Sequence, residues 1–156
     1  MHGLSRLLLL AALAAAPGCS GFRAPTISVN HVSVTDATEE ALALSFVMDL
    51  KNPNRAAVPL HEFVYTLAID GKEVYAGRRT GGVTLSAEGN RQVLLPAVVP
   101  YSKVGWTALT LPTDVSYSLT GQLHFNAPNR LAQILFDTGV RRAKVSFQQR
   151  GRLQLQ

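Results

Sequence analysis

The stretch "ALALSFVMDLKNPNRAAVPLHEFVYTLAIDGKEVYAG", residues 41–77, decides the architecture. In its first arm the apolar residues Leu42, Leu44, Phe46 and Met48 take every second position, with Ser45 and Asp49 on the other face. A period of two marks a strand buried on one side. The second arm repeats the pattern with Phe63, Tyr65, Leu67 and Ile69. Between the arms stand Pro53 and Pro59. Proline has no N–H for a ladder and pushes the residue before it out of helical geometry, so one strand ends and the next is delayed. Asn52 and Asn54 can bond nearby backbone groups through their side chains, which predicts a rigid corner between sheets. After Ile69, Asp70 and Gly71 supply the positive φ angles of a tight hairpin, and Val74 lies on the returning strand.

Outward from this stretch the chain keeps reading as strands. "TISVNHVSV" changes parity between Val29 and Val32, which predicts a bulge. "RQVLLPAVV", "VSYSLTGQLHF" and "AKVSFQQ" follow, the second with Val115, Tyr117, Leu119, Leu123 and Phe125 on one face. In "SKVGWTALTLP" Ser102 is the expected N-cap of a short helix with apolar Val104, Trp106 and Leu109, ending before Pro112. About seven short strands with turn signals between them predict a mainly β, antiparallel sandwich with one short helix. No long helices alternate with strands, which argues against a parallel nucleotide-binding sheet. The 156 residues suffice for one domain.

The first residues carry export chemistry. Arg6 provides a positive start, "LLLLAALAAA" from Leu7 to Ala16 an apolar run, and Pro17 and Gly18 a small-residue exit, so residues 1–18 are expected to be a leader. An apolar run of about ten residues is too short to span roughly 30 Å of hydrocarbon as a helix. The next residue, Cys19, is the single cysteine of the chain, which excludes an internal disulfide. "AAPGC" resembles the bacterial lipobox, which implies a diacylated cysteine at a new N-terminus; an ordinary export leader followed by a lone thiol is the alternative. Each buried acyl methylene contributes about 0.8 kcal/mol, and two or three chains give stable anchoring. Ser20 stands where aspartate would signal inner-membrane retention, so in a Gram-negative cell the outer membrane is the expected site. Residues 19–25 then form a short tether, and residues 26–156 the domain.

The ordered set "LSFVMDLKNPNRAAVPLHEFVYTLAIDGKEVYAG", "VLLPAVVP" and "VSYSLTGQLHF" resembles the WHy domain of the LEA type 2 (LEA14-like) proteins associated with desiccation and water stress. The marks are Asn52, Pro53 and Asn54 at the corner, Asp70 and Gly71 at the hairpin, Gly77 ending its second arm, and Tyr117, Leu119 and Gly121 in a later strand. The resemblance covers roughly residues 26–150. It implies a fibronectin type III-like sandwich, no catalytic residues, and a protective or binding role.

A search for chemistry agrees with that expectation. His31, His61 and His124 have no metal-ligand spacing, and Glu62 is expected on the face opposite His61, so no metal site and no cofactor are predicted. There is no Gly-x-Ser-x-Gly elbow, no Ser-x-x-Lys and no glycine-rich phosphate loop. "AGRRTGGV" offers Arg78 and Arg79 beside Gly81 and Gly82 as an anion contact, though a basic, flexible hairpin exit in solvent is the favoured reading. The formal net charge is +5, and Arg130, Arg141, Arg142, Lys144, Arg150 and Arg152 crowd the last quarter. Such a surface is drawn to anionic headgroups. Without interleaved aromatic residues, and in an exported protein, nucleic acid is not an expected partner. Membrane lipid through Cys19 is, and so is an envelope protein; no small-molecule substrate is identified. The expected function is a lipid-anchored, non-catalytic envelope protein active in water stress, with an accessory subunit of an envelope complex as the alternative.

Overall fold

The strands appear in the order β1 (Thr26–Ala37), β2 (Ala41–Lys51), β3 (Val58–Ile69), β4 (Lys72–Thr80), β5 (Thr84–Leu85), β6 (Asn90–Pro100), β7 (Asp114–Phe125) and β8 (Ala143–Gln154), with helix α1 (Tyr101–Val104) between β6 and β7. This computed structural model describes residues 21–127 and 143–155. The expected leader, Cys19, Ser20, Arg130, Arg141 and Arg142 lie outside the described residues. Strands β1-β2-β6 make one antiparallel sheet and β4-β3-β7-β8 the other, with β5 paired to the start of β3.

The two sheets close on each other because each strand buries alternate residues. Leu42, Leu44, Phe46, Met48 and Leu50 of β2 face Phe63, Tyr65, Leu67 and Ile69 of β3 and Val115, Tyr117, Leu119, Leu123 and Phe125 of β7, all buried. Phe46 meets Tyr117 edge-on across the layers, with ring centroids 5.4 Å apart. Asp70 (φ 47) and Gly71 (φ 82) make the β3–β4 turn with two positive φ angles, as the Asp-Gly pair dictates. Asp70 also fastens this hairpin to β7, since its Oδ1 accepts from the Ser116 amide at 3.0 Å and from Ser116 Oγ at 2.7 Å. The register of β1 against β2 slips between Val29 and His31, where the parity change predicts a bulge, and again between Val34 and Asp36.

Four details differ from the sequence expectations. The strands number eight among the described residues because β5 supplies two residues that no periodicity could announce. Helix α1 is a single turn starting at Tyr101: Pro100 is its N-cap, no side chain caps it, and Ser102 sits inside it. Gly105, at φ 77, ends the turn, which leaves Leu109 96% exposed instead of on a buried helical face. The register of β3 against β7 slips between Leu60 and Glu62, so Leu60 and Phe63 both point inward while His61 and Glu62 share the outer side. Finally, part of the expected tether is docked. Phe22 packs its ring 5.8 Å from that of Phe125, the Arg23 amide donates to Asn54 Oδ1 at 2.9 Å, and Pro25 is buried.

Candidate functional site

The corner between β2 and β3 is built around Asn52, the one buried polar side chain among the described residues. Proline at 53 denies this crossover a ladder, so its backbone groups need side-chain partners. Asn52 Nδ2 donates to the carbonyls of Ala56 at 2.8 Å and Ser86 at 2.9 Å, and its Oδ1 accepts from the Asn54 amide at 3.0 Å and from Asn54 Nδ2 at 2.8 Å. The Asn52 amide donates to the Gly89 carbonyl at 2.9 Å. Asn54 completes the tie, its Nδ2 donating to the Arg23 carbonyl at 2.7 Å. Three stretches far apart in sequence, around residues 23, 52–56 and 86–89, thus meet at two amide side chains. Both polar atoms of the Asn52 side chain are committed to structure, which leaves neither for chemistry on a ligand.

Gly77, Tyr117, Leu119 and Gly121 come together in the five-stranded sheet through cross-strand pairs of aromatic residues and glycines. Tyr65 lies opposite Gly77 on one side and Gly121 on the other; Gly121 lies opposite Phe147, and Tyr117 opposite Gly151. The Tyr65 ring lies over Gly77, the Phe147 ring over Gly121 and the Tyr117 ring over Gly151, where a Cβ would come within 3.0 Å of it; toward Gly121 Tyr65 presents its Cβ. Leu119 is fully buried beside them. The sequence marks Gly77 and Gly121 and puts Tyr65 in an apolar row, but it does not pair them, nor does it single out Phe147 and Gly151, because the partners are set by register.

Tyr65 also links the layers: its hydroxyl donates to the Pro96 carbonyl of β6. Pro96 fits there because β6 pairs only with β2 among the described residues. Burial, and then the neighbouring Tyr75, push ionisation of Tyr65 above the ordinary value of 10.0. The unfolded chain ionises at that ordinary value while the fold holds the phenol neutral. Stability is therefore full below pH 10.0 and falls as pH rises beyond it. Tyr65→Phe is expected to lower stability by about 1 kcal/mol at neutral pH and to make the alkaline decline shallower, read from urea melts at neutral and high pH. Burial raises Tyr117 in the same direction, so part of the decline persists.

Arg78 and Arg79 are not on a hairpin exit; both belong to β4. Arg78 pairs with Val64 and lies on the outer face, where its Nε is 3.4 Å from Glu62 Oε1, whereas Arg79 pairs with the inward-facing Phe63. The two forks point to opposite faces, and the Gly81 amide is occupied by the His61 carbonyl, so these residues do not converge on one anion. His31 bonds Asn30 at 3.0 Å, His61 Nε2 contacts Asn126 Oδ1 at 2.6 Å, and His124 is half-buried opposite Glu62 and Lys144. Among the described residues no three His, Cys, Asp or Glu side chains gather as metal ligands.

The surface carries shallow clefts. One, of about 560 Å³, is lined by Glu39, Glu40, Tyr101, Ser102, Trp106 and Thr107 at the β1–β2 hairpin end. Another, of about 460 Å³, is lined by Ser28, Asp49, Lys51, Asn90, Arg91 and Gln92 at the opposite end. Asp49 there is held below its ordinary carboxylate value by bonds from Asn30 Nδ2 at 2.7 Å and Gln92 Nε2 at 2.9 Å. A carboxylate so fixed bridges three strands. No described helix is long and apolar enough to cross a membrane.

Comparison with known proteins places this geometry. The sequence model of the late embryogenesis abundant protein family LEA_2 matches residues 47–132, more than half of the chain, a span that contains the Asn52 corner and the glycines Gly77 and Gly121. No curated protein matches in sequence. A solution structure from Arabidopsis thaliana shares the fold at a TM-score of 0.65 and 22% identity, over 95% of this chain and 93% of its own. A solution structure of another late embryogenesis abundant protein shares it at 0.61 and 18% identity, over 85% of this chain and 71% of its own. A crystal structure from Archaeoglobus fulgidus shares it at 0.55 and 10% identity, over 84% and 96%. The chain belongs to the LEA type 2 family of late embryogenesis abundant proteins, a membership that suggests a stress- or desiccation-related role without catalysis.

Proposed function

We propose that this protein is held in the cell envelope by lipid on Cys19 and presents a non-catalytic LEA type 2 sandwich that protects or binds envelope components under water stress. The reading is carried by the apolar leader that ends at a lone cysteine three residues before the docked Phe22. With Phe22 packed on Phe125, few residues separate an acylated Cys19 from the domain, which then rides close to the bilayer. The sealed core and the fully committed Asn52 suit a role exerted by surface. In a Gram-negative cell, Ser20 favours the outer membrane. Intact mass spectrometry of protein extracted from membranes is expected to show a species beginning at Cys19 and carrying acyl mass. A free thiol there, or an uncleaved leader, contradicts the anchored reading. A deletion strain is expected to lose envelope integrity on drying or osmotic upshift; unchanged integrity removes the stress role.

A second reading, an accessory subunit of an envelope complex, is favoured by the outer side of β6, where Leu94 and Val98 are 50% and 41% exposed on either side of Pro96. Cross-linking in cells followed by isolation of the native lipoprotein distinguishes the two, since a subunit brings down one stoichiometric partner.

A further inference from the structure

The fold sorts charge between its two ends. At one end β2 finishes, β6 and β8 begin and the β2–β3 corner turns. That end gathers Arg23, Lys51, Arg55, Arg91 and Lys144, all exposed. Arg78 and Arg79, at the close of β4, lie toward it as well. The acids facing this end are Glu88, 3.7 Å from Arg55; Glu62, 3.4 Å from Arg78; and Asp49, held by the Asn30 and Gln92 amides. Among the described residues seven cationic groups therefore stand against three anionic ones. The other end, with the β1–β2 and β3–β4 hairpins and the start of β7, carries Asp36, Glu39, Glu40, Asp70, Glu73 and Asp114. Against them are Lys72, Lys103, Arg150 and Arg152, the last bound to Asp114.

The cationic end is also where the chain enters, because Phe22 and Arg23 are fastened there, on Phe125 and Asn54. We infer that this end is a docking surface for an anionic phospholipid bilayer, with the acidic hairpins held away from it. The inference deepens the anchored reading and rests on it for which end meets the membrane. Charge supplies the choice of partner. Each basic side chain near an anionic surface contributes about 1 kcal/mol, falling off within a Debye length, while acids turned outward are spared repulsion. A rigid body fastened to its anchor at the basic pole has little freedom to present the other one. A protein partner would instead call for an apolar centre, and the large apolar residues that stand exposed among the described ones, Val34, Leu94, Val98 and Leu109, lie at mid-strand or toward the other end.

The test uses the full chain carrying Cys19→Ser, so that acylation cannot supply the binding, with vesicles of phosphatidylcholine alone or mixed with phosphatidylglycerol. The leader, with its Arg6, is common to the parent and the variants, so the increment due to anionic lipid is the quantity compared between them. That increment is expected to be large at low salt, to shrink as salt rises, and to fall on the order of a hundredfold in the triple variant Lys51→Glu, Arg55→Glu, Arg91→Glu. Charge reversal of Lys72 and Lys103 at the far end is expected to leave it within about twofold. Circular dichroism melts matching the parent exclude unfolding, since all five substituted side chains are exposed. Equal binding to both vesicle types overturns the inference, as does equal loss from the two ends. Soluble inorganic polyphosphate that binds the pole with the vesicles' affinity overturns it too, by assigning the pole to polyanions at large. The mass measurement on the native protein decides acylation independently of these outcomes.

Discussion

Asn52→Ala is expected to lower the stability of the fold by about 4 kcal/mol, a large share of the roughly 5–15 kcal/mol that holds a domain of this size. The side chain is 0% exposed, and its removal strands the carbonyls of Ala56 and Ser86 and the amide of Asn54 together. A buried polar group left without a partner costs about 1–3 kcal/mol, with the lower values applying where water can reach it. Ala56 and Ser86 lie at the surface, so partial rehydration limits the loss. Asn52→Asp separates shape from chemistry. It keeps the outline and the acceptor for Asn54, but it turns an oxygen toward two carbonyls that need a donor and buries a charge. Its loss is expected to equal or exceed that of alanine at neutral pH. In mild acid it shrinks, since the introduced carboxyl is neutral more readily in the fold than in the unfolded chain. Urea melts at two pH values measure both effects, and a loss below about 1 kcal/mol in each variant refutes the structural role assigned to this corner.

Gly121→Ala is expected to cost about 3 kcal/mol, the upper end for overpacking. A Cβ there would lie 2.5 Å from Phe147 Cζ, 2.6 Å from the Val64 carbonyl oxygen and 2.9 Å from Tyr65 Cβ. The phenyl ring can turn aside, but Val64 is backbone of β3, which has β4 on one side and β7 on the other and cannot retreat. Gly71→Ala provides the contrast. It meets no atom within 4 Å and suffers from its φ of 82° alone, for which about 1 kcal/mol is expected. Thermal melts should rank Gly121→Ala as the more damaging; the reverse ranking removes the close-packing argument for the ring-over-glycine pairs. Together with the Asn52 result this tests why family marks that look like punctuation are structural parts.

How much was legible differs between the fold and the site. The inward rows of β2, β3 and β7, the Asp-Gly turn and the Asn-Pro-Asn corner could all be read, because each follows from steric preferences of neighbouring residues. The two arginines of the anion candidate, Arg78 and Arg79, do not converge for a related reason. Adjacent residues of a strand point to opposite faces, and the glycines around them read as a hairpin exit, whereas both belong to β4. His61 and Glu62 went wrong in the other sense: the bulge opposite Phe125 and His124 places them on one side, and a bulge is a property of a pair of strands.

By itself the sequence determined which long stretches are strands, which faces of β2, β7 and most of β3 go inside, where the Asp-Gly hairpin and the Asn-Pro-Asn corner turn, and that the result is a sandwich of the LEA type 2 kind. Tertiary structure alone decided that β6 pairs with β2 and β8 with β7, that Tyr65 reaches Pro96, that Phe22 and Arg23 dock, and that basic and acidic residues part to opposite ends. The physical reason is range. Backbone dihedral preferences and a two-residue period act between neighbours, whereas register, layer contact and the direction of a charge gradient arise among residues tens of positions apart that meet only once the sheets have closed.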